Sequence, residues 1–120
     1  MQRLMIADGA DVVRKVGKRI LSELDFLVSE ASNAHEALLQ CHAELPDILI
    51  VDAGLEGALG LIAHIRTLPE GNNIRIYYCV IEADLKSMML GKRAGADDFL
   101  MKPFDRKILT AKFGNSAIAA

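Results

Sequence analysis

Asp47-Ile48-Leu49-Ile50-Val51-Asp52 is the stretch that decides the fold. Its four apolar residues, mostly β-branched and bounded by aspartates, are too few for a helix and too continuous for a strand with one wet face. Such a run reads as a strand buried on both faces, as in a parallel sheet. Leu4-Met5-Ile6-Ala7 before Asp8 and Phe99-Leu100-Met101 before Lys102-Pro103 repeat the pattern. Two more runs complete a set of five strands, expected at Arg3–Ala7, Leu27–Ala31, Ile48–Asp52, Ile74–Val80 and Asp98–Met101.

Helical spacing fills the intervals. Val12, Val13, Val16, Ile20 and Leu24 share one face of a helix over Asp11–Leu24. Asn33 with Glu36 resembles a capping box opening a second helix, which Leu45-Pro46 stops. A third is expected over Leu59–Leu68, a fourth over Asp84–Ala94 with Gly95 as its C-terminal cap, and a fifth from Asp105 to near Gly114. Strict alternation of strand and helix predicts a doubly wound α/β sheet with helices on both faces. Gly17 and Gly91 lie inside predicted helices, where glycine costs about 1 kcal/mol against alanine, so a weakly anchored fourth helix is expected.

The chain's 120 residues suit one domain, and no segment of its 52% apolar composition approaches a membrane span. The N-terminus lacks a secretory signal, and a cytoplasmic protein is expected. Net charge is −2 with both signs intermixed, which argues against direct DNA binding. Cys41 and Cys79, far apart in sequence, read as reduced packing residues. His35 and His42 are seven residues apart, too far to clamp a zinc on one helix, so they and His64 read as surface histidines.

In an open parallel sheet the carboxyl ends of the strands converge on the ligand crevice. Asp8, Asp52 and Lys102 would share it. Two carboxylates can hold a hard divalent cation and offer an oxygen nucleophile, and a lysine is a point charge suited to a phosphoryl group. The chemistry implied is phosphoryl transfer onto an aspartate. A flavin or nucleotide binder on a similar sheet is disfavoured, because Asp8 and Asp11 would repel a phosphate after the first strand.

Ala94-Gly95-Ala96-Asp97-Asp98-Phe99-Leu100-Met101-Lys102-Pro103-Phe104, Pro46 to Asp52 and the acidic Asp8 together resemble the receiver domain of two-component response regulators, of the stand-alone chemotaxis-regulator size. The resemblance implies a flavodoxin-like sheet of order 2-1-3-4-5 and a signalling module rather than an enzyme. It makes Asp52 the phosphoacceptor, Asp8 an acid beside Mg2+, Gly54 the backbone carbonyl of the metal site and Lys102 the phosphoryl contact, after a Lys-Pro bond that is usually cis. It also implies a histidine kinase or histidine phosphotransfer partner docking beside the first helix, and a downstream protein target. With no output domain read in the remaining sequence, output is expected to come through that target. A homodimer through the face of the fourth helix, fifth strand and fifth helix is a further implication.

The sequence departs from that family in three places. Gly9 stands where the main acidic metal ligand is expected, so weak Mg2+ binding is predicted unless Asp11 reaches inward. Val80 replaces the hydroxyl residue that swings toward the phosphoryl group, leaving Phe99 as an aromatic without a partner hydroxyl. Glu56 replaces a customary proline in a loop with Gly54 and Gly57, while Gly54 and Glu82 fall where the family tunes phosphoryl lifetime. A pseudo-receiver that binds partners without phosphorylation is the alternative these departures raise. Leu85, Met88 and Met89 form a stripe whose spacing predicts core packing. Most of Arg14, Lys15, Lys18 and Arg19 are expected to form a solvated basic face.

Overall fold

The computed structural model describes residues 1–82 and 84–114; the short tail read after the fifth helix lies outside the described residues. The chain runs β1 (Arg3–Ala7), α1 (Asp11–Glu23), β2 (Leu27–Ala31), α2 (Ala34–Ala43), β3 (Ile48–Asp52), α3 (Ala58–Thr67), β4 (Arg75–Val80), α4 (Leu85–Ala94), β5 (Asp98–Met101) and α5 (Arg106–Leu109). A single 3-10 turn, Gly71–Asn73, precedes β4, and α5 continues into a wider π-type turn, Thr110–Gly114. All four strand pairs are parallel, in the order β2-β1-β3-β4-β5. Fold class and strand order agree with expectation, and element boundaries do so to within a residue or two, except that α5 ends at Leu109 where a helix to near Gly114 was expected. The 3-10 turn and the π turn were not anticipated.

The period of two in the strands separates two cores. Met5, Ala7, Leu49, Val51, Ile76, Tyr78 and Val80 face α2 and α3. Leu4, Ile6, Ile48, Ile50, Tyr77, Cys79 and Leu100 face α1 and the α5 region, closing on Phe104 and Phe113. Each central strand is therefore buried on both sides, as its unbroken apolar run requires.

Polar side chains set the helix starts. The Asn33 carboxamide accepts from Glu36 N at 2.7 Å, while Glu36 Oε1 accepts from Ser32 N at 3.2 Å, a variant of the capping box. Asp84 caps α4 and Asp105 caps α5, the latter accepting from Ile108 N at 3.0 Å. Helix α3 instead begins at Gly57, whose φ of +81° is a left-handed conformation that glycine adopts without strain.

The two helix-interior glycines mark close approaches. A Cβ on Gly17 would lie 2.9 Å from Ile6 Cδ1, and one on Gly91 would lie 2.4 Å from Tyr78 Cδ2. Gly91 thus has a packing role, its missing side chain letting α4 seat on the Tyr78 ring, and as the helix's one buried residue it agrees with the expected weak anchoring. The predicted core stripe is corrected. Leu85 is 72% and Met89 52% exposed, and Met88 is half-buried, because α4 reaches the sheet through Gly91 and turns those side chains outward.

Gly91→Ala should destabilise the protein by about 1–3 kcal/mol through overpacking against Tyr78, despite alanine's better helix propensity. Gly60→Ala, with nothing within 4 Å of the added methyl, should be neutral or stabilise by up to about 1 kcal/mol. Chemical denaturation of both variants checks the contrast.

Candidate functional site

Asp8 closes β1, Asp52 ends β3 and Lys102 follows β5, so the sheet delivers all three to one rim. The Lys102 ammonium lies 2.6 Å from Asp8 Oδ2 and 3.1 Å from Asp52 Oδ1. The Lys102-Pro103 peptide bond is cis, and Lys102 N donates to Val80 O at 2.8 Å. Asp8 is only 3% exposed; its other oxygen accepts from Ala10 N at 2.8 Å. Burial alone would lower the Lys102 pKa, but hydrogen bonds and charge from Asp8 and Asp52 hold it above its ordinary value. Two carboxylates and one ammonium leave the cluster with one net negative charge.

A cleft of about 350 Å3 opens at Asp52 and is lined further by Gly54, Val80, Glu82, Asp84 and Ser87. A Cβ on Gly54 would stand 3.5 Å from Asp52 Oδ2, which puts this residue's backbone beside the carboxylate. Val80 is buried and brings no hydroxyl; Phe99 packs half-buried at the edge of the same core. Cys79 lies beneath, its thiol pushed up to about 12 by burial. On the other side of Lys102, Val12, Val13, Val16, Ile81, Pro103 and Phe104 line an apolar cleft of about 430 Å3.

One member of the site was not anticipated. Arg14, one of the four basic residues of α1 of which most are expected to be solvated, is only 8% exposed. Its guanidinium donates to Asp8 O at 2.7 Å and to Glu30 Oε1 at 3.2 Å, and it also holds the Asp11 carboxylate. Asp11 is thereby committed to Arg14 and stays exposed, so it does not replace the acid missing at Gly9. Glu30, on β2, also accepts from Lys15 at 3.0 Å. The one signal in the sequence was Glu30 itself, a charge between Ser29 and Ala31 in an otherwise strand-like run.

The carboxylates of Asp8 and Asp52 are hard-oxygen donors of the kind Mg2+ takes, an ion that needs few protein ligands and keeps several waters. The residues fit the ion, though no group of three or more metal-binding side chains occurs among the described residues. Lys102 competes for one oxygen of each carboxylate.

The family model of the response regulator receiver domain matches residues 4–113. The chemotaxis protein CheY of Listeria monocytogenes is 30% identical over 105 residues, covering 87% of this chain and 88% of that protein. The probable transcriptional regulator ycf27 of Guillardia theta is 32% identical over 92% of this chain, which spans only 43% of that longer protein. A solved structure of a putative response regulator from Chloroflexus aurantiacus superposes with a TM-score of 0.86 at 30% identity, covering 99% of this chain and 98% of that one. The receiver domain of the Pseudomonas aeruginosa sensor histidine kinase PA1611, solved with magnesium in its cleft, superposes at 0.84 with 21% identity, covering 99% and 98%.

Burial alone would raise the Glu30 carboxyl, but Lys15, Arg14 and Lys18 hold it below its ordinary value near 4.5. A carboxylate whose pKa falls on folding stabilises the fold above its unfolded value, and that stabilisation disappears as pH drops through the lowered value. Glu30→Gln should thus reduce stability at neutral pH and flatten the pH dependence below about pH 4.5. Denaturation midpoints of wild type and variant across the acid range check this, and parallel curves would contradict it.

Proposed function

The chain belongs to the response regulator receiver domain family, and we propose that it accepts a phosphoryl group on Asp52 from the phosphohistidine of a histidine kinase or phosphotransfer protein. The observation that carries this reading is the Lys102 ammonium held between Asp8 and Asp52, with Asp52 opening onto a cleft. An Asp52 oxygen attacks phosphorus as the P–N bond breaks, and the electron pair returns to the partner's imidazole. The product is an acyl phosphate. Phosphoryl transfer depends on positioning and charge stabilisation, with little covalent work for the protein. Asp8 holds the Lys102 ammonium where negative charge develops on the phosphoryl oxygens, and Arg14 fixes the backbone at Asp8. Mg2+ held by Asp8, Asp52 and the Gly54 carbonyl would add charge neutralisation between nucleophile and phosphate.

Such a module signals through protein contacts. The exposed Leu85, Met89 and Leu90 of α4 with Met101 of β5 offer an apolar face for a downstream protein or a second copy. No helix among the described residues is long and apolar enough to cross a membrane. A cytoplasmic setting is part of the same proposal.

Gly9 and Val80 favour a second reading, a pseudo-receiver that binds its partner regardless of phosphorylation. Lys102 already satisfies both carboxylates in such a protein. Partner binding that survives Asp52→Ala unchanged would select this reading.

Incubation with acetyl phosphate and Mg2+ should give one phosphoryl adduct by mass spectrometry, absent in Asp52→Ala. Gly9→Asp should restore a charged ligand worth about one to two decades in Mg2+ affinity, read by titration. An adduct indifferent to Asp52→Ala would refute the assignment.

A further inference from the structure

His42 lies in the last turn of α2 and His64 in the last turn of α3. Their exposed rings meet across the helix pair, with centroids 5.5 Å apart and planes inclined at 65°. Neither residue touches the phosphoryl site. We propose that the two imidazoles form a binding site for a borderline divalent transition ion, Zn2+, Ni2+ or Cu2+, bridging α2 to α3.

The separation fits. With metal–nitrogen distances of about 2.0–2.1 Å, two imidazoles on one tetrahedral ion hold their centres about 5 Å apart. The remaining adjustment is a ring rotation, and the ring torsion of an exposed histidine is broad. The helix separation beneath the rings does not depend on the histidines themselves, because their neighbours Cys41 and Ile65 are buried in one shared core that fixes the two helices. A fixed backbone spares that part of the ordering cost of binding.

The local field favours a cation as well. Both rings stand at helix C-termini, where the negative end of the dipole lies, and the two helices, each a crossover between parallel strands, add their fields there. Nitrogen donors select the later first-row ions over Mg2+, so this site and the carboxylate pocket would take different metals. No third His, Cys, Asp or Glu joins the pair among the described residues. Water would complete the shell, and the ion would exchange freely. Because α3 starts at Ala58, close after Asp52, an ion tying α3 to α2 would also restrain the element that leaves the acceptor loop.

Tag-free protein titrated with Zn2+ or Ni2+ in saturating Mg2+, followed by calorimetry and by the histidine ring resonances, tests this. The expected result is one site that broadens or shifts the signals of His42 and His64 but not His35. His42→Ala and His64→Ala should each weaken binding at least about tenfold, and His35→Ala should leave it unchanged. Binding that persists in either paired variant, or that follows His35, would overturn the proposal, as would no binding at all. The phosphoryl reading of Asp52 stands or falls separately.

Discussion

Two carboxylates delivered to one rim by neighbouring buried strands repel each other, and the Lys102 ammonium makes the arrangement tolerable. Asp8 is almost fully buried, a position in which an isolated carboxylate is strongly penalised. Its charge is met by one ammonium and one backbone N–H, so both oxygens are satisfied. The geometry follows from topology: β1 and β3 are adjacent, β5 lies two strands further on, and the long lysine stem bridges β4 to reach them. Taking away the ammonium would leave two like charges in one partly dry pocket.

A second layer holds that cluster in place. Arg14 anchors the end of β1 through the Asp8 carbonyl, and Glu30 on the edge strand gathers Arg14, Lys15 and Lys18. Burial would discourage the Arg14 charge, yet Asp11 and Glu30 hold its pKa above the ordinary value. The basic side of α1 is therefore partly an internal support of the site, with only its outer residues left to solvent. The same network explains why Gly9 has no local substitute: the nearest spare carboxylate, Asp11, is already engaged.

What the sequence disclosed and what it hid differ by physical origin. Strand periodicity, helical spacing and the Asn33 cap are local, and they located ten elements to within a residue or two, the end of α5 excepted. Asp8, Asp52 and Lys102 were legible because strand ends in a parallel sheet converge whatever the side-chain detail. Arg14 was not legible, since its burial depends on β2 presenting Glu30 opposite α1. The α4 stripe misled because its apolar spacing matched a core face, while contact with Tyr78 at Gly91 decided which side faces inward. The meeting of His42 with His64 arises only from packing α2 on α3; within one helix their spacings say nothing.

On the proposed function, helix α4 would connect these observations to signalling. Its only buried residue is Gly91, and its start lines the cleft at Asp52 through Asp84 and Ser87, where Ser87 donates to Asp84 at 2.9 Å. Val80 removes the hydroxyl route from cleft to helix. Charge offers another. A phosphoryl group on Asp52 would bring about two negative charges into a cleft already lined by the exposed Glu82 and Asp84, and like charges there repel, to an extent that solvent and salt reduce. The Asp84 cap would then be set against the group on Asp52, and a helix seated on the sheet at one glycine has little buried surface to resist displacement. Tyr78, under Gly91 and paired in register with Phe99, lies where that displacement meets β5. Coupling in this protein would then run through repulsion at a helix cap and repacking on an aromatic ring, with no hydrogen-bond donor required at position 80.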